Sequence, residues 1–238
     1  MIRMLASVRD LDEARIVFDA GVDLIDLKQP ADGALGALPP AVIRGVVAFV
    51  AGRVLTSATA GNIEPDAQAV QAAMALIAAT GVDYVKAGLF PAGWQQGGRD
   101  YAAVRACLGG LEPLAGTRRI AVMFADLVPP LDLVDAVADA GFDGVMVDTA
   151  LKTGHSLPDV AGSDWLAAFV ERARARGLLC GLAGSLRVGH IASLARLAPD
   201  YLGFRGALCV RQARAQALDA RAVIGVRQAL AEAQYQSA

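Results

Sequence analysis

Gly21-Val22-Asp23, Gly81-Val82-Asp83 and Gly141-Phe142-Asp143 recur at intervals of 60 residues, and each closes an alanine-rich helical stretch and opens an apolar run. Pro199-Asp200-Tyr201 repeats the pattern after a similar interval. Between these marks stand four further apolar runs, Met4 to Val8, Val54 to Thr59, Ile120 to Ala125 and Leu178 to Ala183, each of strand length and bounded by Gly, Pro or charge. Interleaved with helices, the runs make eight βα units. Their hydrophobicity is continuous rather than alternating, the mark of parallel strands covered by helices. Eight units in 238 residues predict a closed (β/α)8 TIM barrel, an α/β fold of one domain over residues 1–238, rather than an open doubly wound sheet. No Gly-x-Gly-x-x-Gly follows the first strand, which speaks against dinucleotide binding. One helix has readable ends: Ser163-Asp164 precede WLAAFVERARARG, with arginines in the last turn and Gly177 beyond it.

Bulk properties exclude several partners. Lys+Arg at 22 nearly balance Asp+Glu at 24, so no basic field draws in nucleic acid or an anionic membrane surface. Mean hydropathy is high at +0.44, but the longest uncharged stretch, Ala67 to Val82, carries Gln68, Gln71 and Thr80. It is too short and too polar to cross a bilayer. The opening MIRMLASVRDLDEARI meets acidic residues at once instead of building a signal-peptide core, so a cytoplasmic location is expected. Cys107, Cys180 and Cys209 lie far apart and read as small buried hydrophobes. No His, Asp and Cys set has metal-ligand spacing, so neither a metal nor another cofactor is expected. The oligomeric state is not encoded legibly, and a homo-oligomer is compatible with the sequence.

Of the 22 basic residues only Lys28, Lys86 and Lys152 are lysine. Solvated positions in this chain take arginine, so a lysine answers a need that arginine cannot meet. Arginine stays protonated, whereas a desolvated lysine can lose its proton and act as nucleophile or base. Lys28 ends VDLIDLK, Lys86 ends the strand in VDYVKAG, and Lys152 follows VMVDTALK. All three are thus expected at the C-terminal ends of strands, the face on which barrel active sites lie. Asp26 shares the side-chain parity of Lys28, and Asp148 that of Gly144 and Met146, so both carboxylates are expected to point inward. Crowded ammonium groups and partial burial both favour a neutral amine; lowering a lysine pKa by about 2 units takes roughly 2.7 kcal/mol. The same positions also suit structural ion pairs with Asp26 and Asp148.

Ala183-Gly184-Ser185-Leu186 follows the seventh strand and Phe204-Arg205-Gly206-Ala207-Leu208 the eighth, the loops that commonly seat phosphate in barrels. Backbone N–H groups at Gly184, Ser185 and Gly206, a helix N-terminus and a bidentate contact from Arg205 are the expected phosphate ligands. The loop at 30–42, within PADGALGALPPAVI, is long and glycine-rich; it either closes over the site or is a plain surface connection. His155 either donates to substrate or is solvated, His190 is expected to be structural, and Arg172, Arg174 and Arg176 read as a solvated helix face.

Read together, DLKQP (26–30) with DGALGA (32–37), VKAGL (85–89) and VDTALKTG (147–154) resemble the (5-formylfuran-3-yl)methyl phosphate synthase family of methanofuran biosynthesis. Relative to the DVKNP form of the first motif, Leu27 and Gln29 are mild changes. The resemblance implies a lyase that joins two molecules of glyceraldehyde 3-phosphate into a furan aldehyde phosphate, with loss of phosphate and water. It also implies that Lys28 forms the Schiff base and Lys86 accepts the proton. Asp148 and Lys152, with Asp26 in the same cluster, then sit where proton shuttling and phosphate contacts are wanted. A related phosphosugar aldolase or isomerase would share this face but not the product, and a phosphate-binding scaffold would need none of the lysine chemistry.

Overall fold

A computed structural model describes residues 1–151 and 153–236. Strands β1 (Arg3–Val8), β2 (Leu24–Leu27), β3 (Leu55–Thr59), β4 (Tyr84–Gly88), β5 (Arg118–Phe124), β6 (Gly144–Asp148), β7 (Leu179–Leu182) and β8 (Tyr201–Phe204) pair in sequence order. They are parallel throughout, and β8 returns to β1 to close the barrel. The expected (β/α)8 architecture is thus the one observed.

Successive side chains point to opposite faces of a strand, and the alternation sorts them into two cores. Met4, Ala6 and Val8 of β1 pack outward beneath the helices, and Ala121 and Met123 of β5 do the same. Leu5, Ile120, Val122 and Phe124 fill the interior with Leu24, Tyr84 and Tyr201. Space there is tight: a Cβ on Gly181 would stand 2.1 Å from Cζ of Tyr201, so the glycine leaves the room the phenol occupies. Above this apolar layer, towards the C-terminal ends of the strands, the inward positions turn polar at Ser7, Asp26, Lys86 and Asp148. Apolar filling below and charge above is what makes one end of the cylinder a site.

The 60-residue repeat has a structural cause. Gly21, Gly81 and Gly141 adopt left-handed φ of 71°, 87° and 72° just past a helix end, a conformation that costs glycine little. In the fourth copy the same position is Ala198, which takes φ 53° at the steric cost of a Cβ. The aspartate that follows then reaches back to the preceding strand. Carboxylates of Asp23, Asp83, Asp143 and Asp200 accept backbone N–H bonds from Met4, Thr56, Arg119 and Cys180 at 2.8, 2.7, 2.7 and 2.7 Å. Each repeat mark is thus a helix stop joined to a staple between two strands.

The helix Ser163–Ala175 begins one position earlier than its sequence suggests. Gly162 is the N-cap with no side-chain bond, and Ser163 is already inside. Its far end is as expected, with Gly177 left-handed at φ 67°. Arg172 and Arg176 are not simply solvated: they pair with Asp135 and Asp139 on the neighbouring helix Leu133–Asp139. All three cysteines are buried and free, as their isolation in sequence suggested. Among the described residues, no helix is long and apolar enough to cross a membrane.

Candidate active site

Register builds the site. Ser7 on β1, Asp26 on β2 and Ser57 on β3 are lateral partners, so their side chains share one layer inside the barrel. The two hydroxyls flank the carboxylate: Ser7 donates to Oδ2 of Asp26 at 2.9 Å and Ser57 to Oδ1 at 2.7 Å. Lys86, inward on β4, completes the shell with Nζ 2.6 Å from Oδ1, and neither partner is more than 2% exposed. Burial alone would raise the Asp26 carboxyl. The Lys86 and Lys28 ammonium groups, with hydrogen bonds from Lys86 and Ser57, outweigh it and hold the group below its ordinary value.

Lys28 stands one residue past β2, its N–H bonded to the carbonyl of Val8, and its amine lies 3.9 Å from Oδ2 of Asp148 at the end of β6. Oδ1 of Asp148 accepts the N–H of Thr149 at 2.7 Å. Lys28 is 7% exposed and Asp148 3%, so both are accessible only from the barrel mouth. Lys28, Lys86, Asp26 and Asp148 therefore line one cavity of about 440 Å³ at the C-terminal ends of the strands. That volume lies in the usual small-molecule range of roughly 300–1,000 Å³. The fifth member of the expected cluster, Lys152, lies outside the described residues.

Gly184, Ser185 and Gly206 line the same cavity. Gly184 at φ 113° and Ser185 at φ 49° are both left-handed, which turns the β7 loop sharply at the mouth. The helical support beyond is shorter than expected. One 3-10 turn and the five-residue helix Ile191–Ala195 follow β7, and two 3-10 turns follow β8. Backbone amides and side-chain cations, not a long helix dipole, are what this end offers an anion.

Arg205 departs from its expected role. It lines the cavity, yet its Nε and both terminal nitrogens are engaged elsewhere, by the buried Glu13 carboxylate and by the carbonyls of Ser7, Arg214 and Gln216. Those contacts use all five of its N–H donors, so no bidentate fork is left for a phosphate. Arg205 instead fastens the β8 loop to the first βα unit. The arginines presented by that loop, Arg211 and Arg214, were overlooked in the sequence, although RQAR (211–214) lies only a few residues past the expected phosphate loop. Ser7 and Ser57 were overlooked too; their signal is a small polar residue at an inward position of an otherwise apolar strand.

The β2 loop is folded inward rather than lying on the surface. Ala34 and Leu35 are buried against the interior cluster. Asn62 binds the carbonyl of Asp32 and the N–H of Leu35, Thr59 binds the carbonyl of Gly36, and Arg214 binds the carbonyl of Gly33. His155 is exposed and outside the cavity lining. His190 accepts the N–H of Arg187 through Nδ1, a structural role.

Known barrels share the architecture. The 3-hexulose-6-phosphate synthase of Salmonella typhimurium superposes with a TM-score of 0.66 at 17% identity, covering 100% of both chains. Phosphoribosyl anthranilate isomerase of Thermus thermophilus gives 0.65 at 13% identity over 97% of this chain and 99% of its own. At such identities the likeness extends to the fold alone. Sequence relatives are nearer. The chain is 36% identical over 218 residues to the (5-formylfuran-3-yl)methyl phosphate synthase of Archaeoglobus fulgidus, spanning 87% of this chain and 91% of that one. It is 33% identical over 212 residues to the enzyme of that name from Methanocaldococcus jannaschii, spanning 87% and 89%. A Methylorubrum extorquens protein provisionally given the same name is 48% identical over 217 residues, or 91% of this chain and 86% of its own. The family model for 4-HFC-P synthase matches residues 4–227, so the buried lysines and carboxylates at this barrel mouth belong to a member of the 4-HFC-P synthase family.

Proposed function

We propose that this chain makes (5-formylfuran-3-yl)methyl phosphate from two molecules of glyceraldehyde 3-phosphate through an imine on Lys28, as a step towards methanofuran. The observation that carries the reading is two buried amines and two buried carboxylates in one cavity, within a chain that has only three lysines. Lys28 attacks the aldehyde of the first triose and water leaves, giving an iminium. That cation is an electron sink, so a proton on the adjacent carbon becomes removable and the resulting enamine attacks the second aldehyde. Lys86, coupled to Asp26, and Asp148 beside Lys28 are the groups placed to take up and return those protons. Loss of one phosphate and two waters in all brings the six-carbon adduct to the aromatic ring. Lys152 is assigned to proton shuttling or phosphate contact alongside Asp148, and the backbone at Gly184, Ser185 and Gly206 to holding a phosphate.

Borohydride reduction in the presence of glyceraldehyde 3-phosphate tests the proposal. The expected result is substrate mass on the Lys28 peptide, with a furan chromophore formed when borohydride is omitted. An adduct on no lysine would sink it. An adduct without a furan would instead point to a phosphosugar aldolase or isomerase that shares the imine chemistry.

A further inference from the structure

Resting on the condensation proposed above, we infer that the arginine-bearing loop after β8, through Arg211 and Arg214, is a second phosphate seat, distinct from the Gly184–Ser185 turn after β7 and used by the second triose. The chemistry demands two seats, because two phosphorylated trioses must be held together while a carbon–carbon bond forms. Each phosphate carries about −1.5 to −2 charges near neutrality. The cavity meets that demand with six basic side chains and two acidic ones, in a chain whose net charge is −2. Lys86 is matched by Asp26, and Arg205 by Glu13. Most of the remaining positive charge lies on Arg187, Arg211 and Arg214 at the rim.

The loop is built to present those side chains. Arg211 and Gln212 are consecutive left-handed residues at φ 54° and 56°, and both line the cavity. Strain of this kind persists only where surrounding contacts over-determine it. Here they do: Arg205 grips the carbonyls of Arg214 and Gln216, and the Glu13 carboxylate in turn holds Arg205. Arg214 is the half-buried member. It lines the same cavity as Lys28 and Asp148. It also donates to the carbonyl of Gly33, so it joins the β2 loop to the β8 loop above the reacting amines. A phosphate bound to Arg214 and Arg211 would hold its triose on the β8-loop side of the mouth, beside one held at Gly184–Ser185 on the adjoining β7 loop. The enamine and the second aldehyde would then meet within the one cavity.

Arg211→Gln, at an exposed position, and Arg214→Lys, which keeps the charge but loses the planar fork, separate the two seats. For each variant the measurements are borohydride trapping of the first triose at Lys28, the KM for furan formation, and inhibition by inorganic phosphate. Trapping is expected to keep its wild-type concentration dependence. The KM for condensation and the inhibition constant for phosphate should each rise roughly tenfold or more, as loss of a charged hydrogen bond implies. Unchanged kinetics in both variants would overturn the inference, and so would trapping that weakens in step with condensation, since the loop would then serve the first triose. If the wild type itself traps substrate but forms no furan, the condensation reading fails and the second seat falls with it; the silent protein is then the wild type, which tells the two failures apart.

Discussion

Lys86 and Asp26 form an ion pair of 2.6 Å inside the barrel, with side chains 2% and 0% exposed. Ser7 and Ser57 bond the same carboxylate, so it is fully engaged by three donors from three strands. A pair this deep is sustained by its geometry, and breaking one half leaves an uncompensated, largely desolvated charge. Asp26→Asn or Lys86→Met alone is therefore expected to cost about 3–5 kcal/mol of stability, whereas the double variant costs less than the sum. Urea denaturation of the four proteins checks this. Additive losses would mean that the two groups do not act as a unit.

The same carboxylate ties stability to acid. Its folded pKa lies below the ordinary 3.8, with burial opposed and outweighed by Lys86 and Lys28. A depressed carboxyl stabilises fully above its unfolded value and ceases to as pH falls through the folded one. The contribution is thus complete at neutrality and fades below about pH 4. Melting temperature followed from about pH 6 to about pH 2 should fall more steeply for the wild type than for Asp26→Asn/Lys86→Met, which lacks the group. Parallel acid limbs would contradict the assignment.

The barrel was legible because the repeat of Gly and Asp, the eight apolar runs and the absence of a dinucleotide loop all agree with it. Lys28, Lys86, Asp26 and Asp148 were legible for a narrower reason: strand parity fixes which way a side chain points, and the ends of parallel strands converge. Arg205 misled because its loop position is right for phosphate, while its actual partner, Glu13, lies 192 residues away in sequence and no local pattern links them. Arg211 and Arg214 were missed for the converse reason. They lie in an irregular loop whose path depends on Arg205, so their arrival at the mouth is a tertiary event. The N-cap of the helix Ser163–Ala175 slipped by one because Gly162 takes the extended backbone there and leaves Ser163 helical.

Arg205 fastens the β8 loop to Glu13, which is 3% exposed, and this predicts a mixed phenotype. Arg205→Met removes the guanidinium but leaves the carboxylate buried, with the half-buried Arg9 at 3.3 Å as its remaining ion-pair partner among the described residues. A loss of about 3 kcal/mol follows from the stranded charge. Because the loop also loses its hold on the carbonyls of Arg214 and Gln216, the KM for the phosphorylated substrate is expected to rise as well. Glu13→Gln/Arg205→Met should recover most of the stability but not the KM. If the double variant recovered both, the loop would have another anchor.

Asp83 allows the staples to be tested apart from the chemistry. It opens β4 at the end of the barrel opposite the lysines, where its carboxylate accepts the N–H of Thr56 at 2.7 Å and the hydroxyl of Thr56 at 2.9 Å. Its own N–H returns a bond to that hydroxyl at 3.2 Å. Asp83→Ala leaves the Thr56 groups part-buried without this partner, a loss of about 1–3 kcal/mol. The carboxylate touches nothing at the catalytic mouth, so kcat should stay within error of wild type at temperatures where the variant is folded. Asp23→Ala and Asp143→Ala act on different strand pairs, so the three losses should add when the substitutions are combined. A fall in kcat with stability intact would mean that the bottom of the barrel communicates with its mouth, and that the staples do more than join strands.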